Sequence, residues 1–328
     1  MTPLFVGFDT SNYTTSVSVF SPDGGGEIVF NRKIPLPVGD GERGLRQSEA
    51  VFSHIKAAPA VLSELREAVF ESRGSRVAAV AYSGTPRSVD GSYMPCFLVG
   101  EALAAAFSAP LGVSPFRVSH QDGHVMAAVF SASREGGADE NVFFSGPFIS
   151  FHVSGGTFEM LYVSPSLLPD RVFDVRKVGG TLDASAGQII DRTGVRMGLR
   201  FPCGEELDRL ALSCDPAPRT DRVSVHGLDC NRSGLENRAE KMIADGEPRE
   251  RVAAYTLDFV ARTVEALTKR AREEFGELPV LYAGGVMASR FIKRRLGDSG
   301  FFASPAFSSD NAAGVAVLAY LLDKKNFH

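Results

Sequence analysis

Two strand–turn–strand patterns, far apart in the chain, constrain the fold more than any other feature. LFVGFDTSNYTTSVSVFS lies near the N-terminus and FISFHVSGGTFEMLYVS lies near the middle. Each has an apolar run, a turn rich in small polar residues or glycine, and a second run of strand character, which is typical of a β-hairpin. Aligning Phe8 with Phe151 also places Ser11 on Ser154. Any two hairpins look alike to this extent, but a duplicated α/β fold would produce the same pair.

Helical and strand patterns alternate along the rest of the chain, which favours α/β layers. Pro59 is expected to break or kink the first helix. A further strand is expected at 77–84, and 279–296 reads as a buried strand, a Gly-Gly turn and a helix. The other predicted helices cover 48–70, 93–109, 183–199, 203–213, 248–276 and 308–325.

The bulk composition limits the class of protein. A chain of 328 residues, 44% of them hydrophobic, is long enough for two domains or one split domain. Its net charge of −4 argues against nucleic-acid binding through bulk charge. We find no signal-peptide pattern and no apolar run of about 18 residues, so we expect a soluble cytoplasmic protein and no membrane contact. None of the four cysteines forms a C-x-x-C pair, which argues against a zinc ribbon.

Three glycine turns are expected at the ends of predicted strands: Ser154-Gly155-Gly156, Gly179-Gly180 and Gly284-Gly285. Glycine lets a phosphate approach the backbone and exposes N–H donors, and a helix that begins there also favours anions. Together the three turns favour a nucleotide pocket. The chain contains neither the P-loop pattern nor G-x-G-x-x-G after its first strand, which argues against a P-loop enzyme and a Rossmann dehydrogenase.

A pair of carboxylates is predicted on one face of the helix that starts near Asp183. Asp183, Gly187 and Asp191 are spaced four apart, so the two carboxylates would flank a gap of roughly 12 Å over the glycine. Such a gap suits sugar hydroxyls or a ligand amine. The alternative is an N-cap aspartate followed by a solvated one.

His120 and His124 lie four residues apart with Asp122 between them. A zinc protease would have its general base at the position of Gln121, and Gly123 weakens a helix, so the protease interpretation is poor. Two imidazoles and a carboxylate would suit Fe(II), Zn or Mn, and the third ligand could come from Asp310 at the start of the last helix.

The motifs HQDGH, FHVSGGT, GGTLDASAGQIIDR, FPCGEELDRLA, YAGGVMASRFIKRRL and SSDNAAGVA occur in the order found in the TsaD-like family. The chain resembles these tRNA N(6)-adenosine threonylcarbamoyltransferases from its first strand to its last helix. The resemblance implies the two-lobed actin-like ATPase fold of actin, sugar kinases and chaperones, with a nucleotide and metal cleft between the lobes. We expect one lobe at 1–118, completed by a terminal helix at 311–328, and the other at 119–310.

The resemblance also implies the site residues. His120, His124 and Asp310 would bind one divalent metal, which is iron in family members, with zinc as the alternative. Asp191 and Asp9 are the candidate catalytic carboxylates. The adenine nucleotide of the donor would contact His152, Val153, Ser154, Gly155, Gly156, Asp191, Gly204, Asp208, Gly285 and Ser289.

The implied reaction transfers threonylcarbamoyl from its AMP ester to N6 of adenosine 37 in tRNAs reading codons that begin with A. The implied partners are a paralogous actin-like subunit and a P-loop ATPase. We expect weak binding of tRNA by the chain alone, because a basic cluster gives salt-dependent contacts with phosphates. That cluster would comprise Lys269, Arg270, Arg272, Arg290, Lys293, Arg294 and Arg295, with a solvated basic face as the alternative.

Several positions depart from the family pattern, which keeps other functions open. The first turn, S-C-D-E-T in the family, is Ser11-Asn12-Tyr13-Thr14-Thr15 here. Family Glu, His, Asn and Glu residues are replaced in turn by Asp122, Thr157, Ser289 and Gln188. One alternative is a divergent paralogue that keeps the nucleotide and metal pocket and acts through a partner. A kinase of the same superfamily is another, in which Asp9 could bind Mg²⁺.

Overall fold

The computed structural model is an α/β protein with two β-sheets. It describes residues 1–11, 13–37, 45–70, 74–134, 137–216, 218, 223–304 and 311–327. The strands are β1 (Thr2–Ser11), β2 (Thr14–Ser21), β3 (Glu27–Pro35), β4 (Ser75–Thr85), β5 (Phe116–Ser119), β6 (Phe148–Val153), β7 (Phe158–Pro165), β8 (Phe173–Thr181), β9 (Ser224–His226), β10 (Asp229–Asn231), β11 (Val280–Ala283) and β12 (Phe301–Phe302). The helices are α1 (Gln47–Phe70), α2 (Phe97–Ser108), α3 (His120–Arg134), α4 (Asn141–Phe144), α5 (Ala186–Arg196), α6 (Gly204–Leu212), α7 (Ser233–Ala244), α8 (Arg249–Phe275), α9 (Arg290–Leu296) and α10 (Asn311–Phe327).

The chain divides into two compact units. The first comprises Met1–Phe130, Ser166–Asp174 and Asp310–His328, and the second comprises Ser131–Pro165 and Val175–Ser309. The predicted boundary at residue 118 therefore falls before α3, most of which belongs to the first unit. The reason is a close crossing of α3 and α10, where a Cβ added to Gly314 would clash with the carbonyl oxygen of Gly123.

The short segment Ser166–Asp174 also belongs to the first unit, although the predicted boundaries placed it in the other lobe. It is held by Lys325 near the end of α10, whose Nζ donates to the carbonyl oxygens of Ser166, Leu168 and Arg171 at 2.6, 2.7 and 3.0 Å. A single ammonium group thus satisfies three carbonyl groups of this segment.

The two sheets have corresponding strand orders, which agrees with the duplication predicted from the paired hairpins. The order in the first unit is β3-β2-β1-β4-β5, and the order in the second contains β8-β7-β6-β11-β12. In each unit the hairpin (β1 with β2, β6 with β7) is antiparallel, and its first strand also pairs with a parallel strand, β4 or β11. The second sheet continues past β8 into β10 and β9.

Helix α1 runs through Pro59 as one element, so of the predicted break or kink the break is wrong. Its buried residues recur every three or four positions along one face: Ala50, His54, Ala58, Val61, Leu65 and Val69. Pro59 and Ile55, whose carbonyl group loses its helical partner, both lie on the exposed side. Water can therefore satisfy that carbonyl group while the buried face keeps the helix together.

The core of the second unit surrounds α8, which buries residues along most of its length. The fully buried carboxylate of Asp258 on this helix accepts from Arg295 of α9, so the charge is paired within the core. Among the described residues, we find no helix with both the length and the apolar character needed to span a bilayer.

Candidate functional site

The histidine pair opens α3, directly after β5. His120 is the first residue of the helix and His124 lies one turn later, with ring centroids 4.7 Å apart. Both side chains are partly buried. Gly123 does not interrupt the helix, contrary to what its low propensity suggests. It faces α10, where an added Cβ would lie 3.0 Å from the side chain of Val315 and 3.2 Å from the carbonyl oxygen of Asn311.

Asp9 lies beneath His120. It sits near the end of β1, is 1% exposed, and its Oδ1 is 2.9 Å from Nδ1 of His120. Burial raises the pKa of Asp9, but the charge and hydrogen bond of His120 outweigh it and hold that pKa below the ordinary value. Asp9 is therefore an ionised carboxylate that contacts an imidazole, and it is almost completely shielded from solvent.

Asn311, the first residue of α10, completes the surroundings of His120. Its Nδ2 lies 2.7 Å from Nδ1 and 3.1 Å from Nε2 of the imidazole. The residue is 6% exposed, and its buried Oδ1 has no hydrogen-bond partner among the described residues. Two imidazoles beside an unsatisfied carbonyl oxygen form a donor set that is chemically suited to a divalent transition metal.

The third predicted ligand, Asp310, lies outside the described residues. Within the part of the chain that the structure describes, no group of three or more His, Cys, Asp or Glu side chains is placed to hold a metal ion. The complete ligand set therefore stays a prediction.

Asp122, the acid between the histidines, caps the start of α3. Its Oδ2 accepts from the backbone N–H of Ser119 at 3.0 Å and from Oγ of Ser88 at 2.8 Å, and its own N–H donates to Oγ of Ser119. This reciprocal pair is a capping box with Asp in place of Glu. Burial raises the pKa of Asp122, while the hydrogen bonds from Ser119 and Ser88 oppose that rise. The acid thus fixes the helix that carries both histidines.

In the second unit, the predicted nucleotide turn joins β6 to β7. Ser154 closes it: its N–H donates to the carbonyl oxygen of Thr157 at 2.8 Å, and its Oγ accepts from the N–H of Thr157 at 3.2 Å. Gly155 and Gly156 are exposed, and a Cβ on either would meet no atom within 4 Å. Protein packing therefore does not require these glycines, whereas the close approach of a ligand would.

Helix α5 begins directly against this turn. The N–H of Gly187 donates to the carbonyl oxygen of Ser154 at 3.3 Å, and a Cβ on Gly187 would lie 2.5 Å from Cα of Gly155. Ser185 caps the helix through Gln188 and also donates from Oγ to the carbonyl oxygen of Gly155. Gln188, which replaces a family Glu, thus acts as the last residue of a capping box.

Asp183 does not lie on this helix, so the predicted pair of carboxylates facing one gap is wrong. The helix starts at Ala186, and the carboxylate of Asp183 instead accepts from the N–H groups of Arg232 and Ser233, where α7 begins. Those hydrogen bonds outweigh burial and lower the pKa of Asp183. Periodicity alone does not distinguish this turn from the helix that follows Ser185.

Asp191 and Asp208, which are both predicted to contact the nucleoside, each fix a neighbouring helix start. Asp191 accepts from the N–H of Cys203, just before Gly204 begins α6, at 2.8 Å. Asp208 is 8% exposed and accepts from Oγ of Ser289 and from the N–H of Phe291 at the start of α9.

The Gly284-Gly285 turn lies beside the first glycine turn. β11 and β6 are parallel neighbours in which Ala283 pairs with His152, so their carboxyl ends meet at one sheet edge. Gly284 has a φ of 96°, and a Cβ there would clash with the carbonyl oxygen of Val153. Gly285 is exposed with open space around it. All ten residues predicted to contact the nucleotide lie in the second unit.

The prediction of a glycine turn at Gly179-Gly180 is wrong. Gly179 and Gly180 lie inside β8, where added Cβ atoms would clash with the backbone of Leu228 and Phe158. They permit close packing of the backbone within the second unit.

The basic cluster is partly neutralised. The ion pairs that use its arginines are Arg270–Glu273, Arg272–Glu277, Arg290–Asp208 and Arg295–Asp258. Among the described residues, Lys269, Lys293 and Arg294 have no carboxylate within ion-pair distance, and Lys293 lies over the ring of Phe302 at 5.5 Å. The patch available to phosphates is thus smaller than the sequence indicates.

Sequence reasoning missed two residues near these sites. Asn311 follows the predicted ligand Asp310 directly, so its position alone could have indicated it. Arg232 is fully buried, stacks 3.8 Å from the ring centroid of Phe158 and donates to the carbonyl oxygen of Ala184. No local pattern marks it, because its partners are distant in sequence.

Comparisons with solved structures define the class of protein. The activator of the 2-hydroxyisocaproyl-CoA dehydratase from Clostridium difficile with bound ADPNP is 15% identical, with a TM-score of 0.52 over 98% of this chain and 96% of that one. Component A of the (R)-2-hydroxyglutaryl-CoA dehydratase of Acidaminococcus fermentans is 16% identical, with a TM-score of 0.55 over 98% and 99%. Xylulose kinase from Rhodospirillum rubrum is 13% identical, with a TM-score of 0.57 over 99% and 91%. The chain is thus an actin-like ATPase-fold protein.

The family follows from the sequence model for TsaD, described as tRNA N6-adenosine threonylcarbamoyltransferase, which matches residues 48–317. This chain belongs to that family. The resemblance inferred from the motifs is confirmed.

Proposed function

We propose that this chain transfers the threonylcarbamoyl group from threonylcarbamoyl-AMP to N6 of adenosine 37 in tRNAs reading codons that begin with A, with AMP as the leaving group. The observation that carries the proposal is a pair of glycine turns, Ser154–Gly156 and Gly284–Gly285, at adjacent carboxyl ends of β6 and β11, in which Gly155, Gly156 and Gly285 are exposed. Membership of the TsaD family supplies the reaction class.

The second unit would bind the adenylate. Gly155, Gly156 and Gly285 leave open space in which a nucleotide can approach backbone N–H groups, and α5 begins beside the first turn. His152 and Val153 of β6 would lead into the turn, and Gly204, Asp208 and Ser289 would line the nucleoside side. Asp191 is the candidate catalytic carboxylate, and its hydrogen bond to Cys203 orders the start of α6.

The first unit would hold one divalent metal, Fe²⁺ or alternatively Zn²⁺, through His120, His124 and Asp310. When bound, the metal would orient the acyl donor and polarise its oxygen atoms. The imidazoles would contribute nitrogen donors, and Asp122 fixes the first turn of the helix that presents them.

The proposed partners are tRNA, a paralogous actin-like subunit and a P-loop ATPase. The assay therefore uses unmodified tRNA and supplied threonylcarbamoyl-AMP, with and without the family's partner proteins, and measures threonylcarbamoyladenosine by mass spectrometry. We expect product with the partners present and at least a hundredfold loss for Asp191→Ala. An undiminished rate for that variant would contradict the role of Asp191.

A second candidate function is that of a paralogue without this transferase activity, and the first turn favours it. Tyr13, where the family has an acid, is 52% exposed, and Thr14 replaces the second acid. This candidate predicts retained nucleotide and metal binding but no product with partners present, while an authentic family member reacts in parallel. Restoring the acids with Tyr13→Asp and Thr14→Glu would then be expected to give product.

A further inference from the structure

A buried arginine contacts the residues on both flanks of the glycine turn between β6 and β7. Arg232, the residue before α7, is 0% exposed. Its Nε and Nη2 donate to the carbonyl oxygen of Ala184 at 3.2 and 2.7 Å, and its guanidinium lies 3.8 Å from the ring centroid of Phe158. One side chain therefore joins three segments of the second unit that are distant in sequence.

Both contacts lie next to the proposed phosphate site. Phe158 is the first residue of β7, directly after the turn. Ala184 directly precedes Ser185, which caps α5 and donates from Oγ to the carbonyl oxygen of Gly155. The guanidinium of Arg232 thus fixes the residue after the turn against the residue before the helix cap. A change at Arg232 would be transmitted to the turn through either neighbour.

The charge of Arg232 has no ion-pair partner. Among the described residues, no carboxylate lies within ion-pair distance of its guanidinium, and its Nη1 has no hydrogen-bond partner. Asp183 accepts from the backbone N–H of Arg232 rather than from its side chain. Burial lowers the pKa of Arg232, which nearby Cys230 and Asp183 oppose, but an arginine stays protonated in proteins. An uncompensated buried charge destabilises a fold, so packing alone does not account for this residue.

A buried cation can act on an anion that it does not touch. The protein interior screens charges less than water does, so the attraction extends beyond contact distance. A phosphate bound against Gly155 and Gly156 would be attracted by Arg232 in this way. A nucleoside without a phosphate would gain nothing from that charge.

We propose that Arg232 is a positioning residue for the phosphate of the adenylate: it fixes the Ser154–Gly156 turn against the start of α5 and supplies a buried positive charge behind it. The inference rests on the proposed nucleotide site. Arg232 acts through the turn and does not contact the ligand, because its guanidinium is completely buried. The site should accordingly prefer AMP to adenosine, and that preference should depend on Arg232.

Calorimetry of the full chain with AMP and with adenosine tests this dependence. Arg232→Met keeps much of the buried side-chain volume but removes the charge, and we expect its affinity for AMP to fall by about tenfold. Its affinity for adenosine should change little, because adenosine carries no phosphate to the turn. General damage to the pocket would weaken both ligands alike.

Three further variants separate the charge from the shape of the side chain. Arg232→Lys keeps a cation and should bind AMP more tightly than Arg232→Met does. Arg232→Gln is a second neutral variant that retains an amide donor for the carbonyl group of Ala184, and it carries the test if Arg232→Met does not fold. Arg238→Met removes an exposed charge from the same helix, α7, and should bind both ligands as the wild type does.

Two kinds of result would overturn the inference. If a folded neutral variant binds AMP as tightly as the wild type, or loses affinity for AMP and adenosine equally, Arg232 has no role at the phosphate and the nucleotide site stands without it. If the wild type binds neither AMP nor adenosine, the nucleotide site itself is wrong and the role of Arg232 is lost with it.

Discussion

At the scale of residues, the carboxylates that the motifs single out act mainly on backbone N–H groups. Asp122, Asp183, Asp191 and Asp208 each accept from amides at the start of a helix or just before one. Each acid thereby fixes one loop or helix start against another. In each unit, the predicted site residues thus lie beside ordered helix starts.

Gly156 offers the sharpest test of the nucleotide turn. Because a Cβ at this position meets no protein atom, Gly156→Val should leave the midpoint of thermal unfolding nearly unchanged. The same isopropyl group would occupy the space proposed for the phosphate. We expect AMP and ATP binding, measured by calorimetry, to weaken at least tenfold.

Gly146→Val is the matched control for that substitution. It adds the same side chain in open space just before the other end of β6 and should leave nucleotide affinity unchanged. Equal affinity of Gly156→Val and the wild type would place the nucleotide elsewhere.

The sequence predicts these residues unevenly, for physical reasons. The hairpins, the glycines at 155 and 285, and the histidine spacing are local patterns, and each is found as expected. The capping box of Ser185 and Gln188 is also a local pattern, and it places Asp183 outside α5. The contact of Asp9 with His120 joins residues 111 positions apart, which no local pattern encodes.

At the scale of elements, the crossing of α3 and α10 determines where the histidine pair lies. Gly123 and Gly314 bring the two helix backbones into direct contact. The same crossing brings Asn311, at the start of α10, beside His120. The sequence pattern predicts both helices but not the contact between them. Helix propensity marks the two glycines only as residues that destabilise a helix, and it says nothing of the close packing that they allow.

Gly314→Ala tests this crossing. The added methyl group would collide with backbone atoms of Gly123 and Ala127, which cannot move without shifting a helix. We expect the free energy of unfolding to fall by roughly 1–3 kcal/mol in urea titration, although Ala is the better helix former. Gly234→Ala in α7 adds the same group in open space and should be neutral or slightly stabilising.

At the scale of the whole molecule, the net charge is negative, whereas the basic cluster is a local concentration of positive charge. The chain carries −4 overall, and most of the predicted basic cluster is paired with acids. Within the described residues, Lys269, Lys293 and Arg294 are the members of that cluster that lack a carboxylate partner. Binding of tRNA by the chain alone should accordingly be weak and strongly salt-dependent.

Combined Lys293→Ala and Arg294→Ala substitutions should weaken tRNA binding and lower the slope of log affinity against log salt by about two, or roughly one for each lost phosphate contact. Fluorescence anisotropy with labelled tRNA at several salt concentrations measures both quantities. Lys324→Ala removes an exposed cation in the first unit and serves as the control. An unchanged slope in the double variant would mean that phosphates contact another surface.

The division of the first unit among three stretches of chain has a consequence for biosynthesis. Helix α10 packs on β1 and β2 and carries the lysine that holds Ser166–Asp174, yet it is translated after the whole of the second unit. During translation, the second unit can therefore finish folding while the earlier strands still lack a covering helix. Those strands would expose apolar faces on the ribosome until α10 emerges, which makes them the expected binding site for chaperones in the nascent chain.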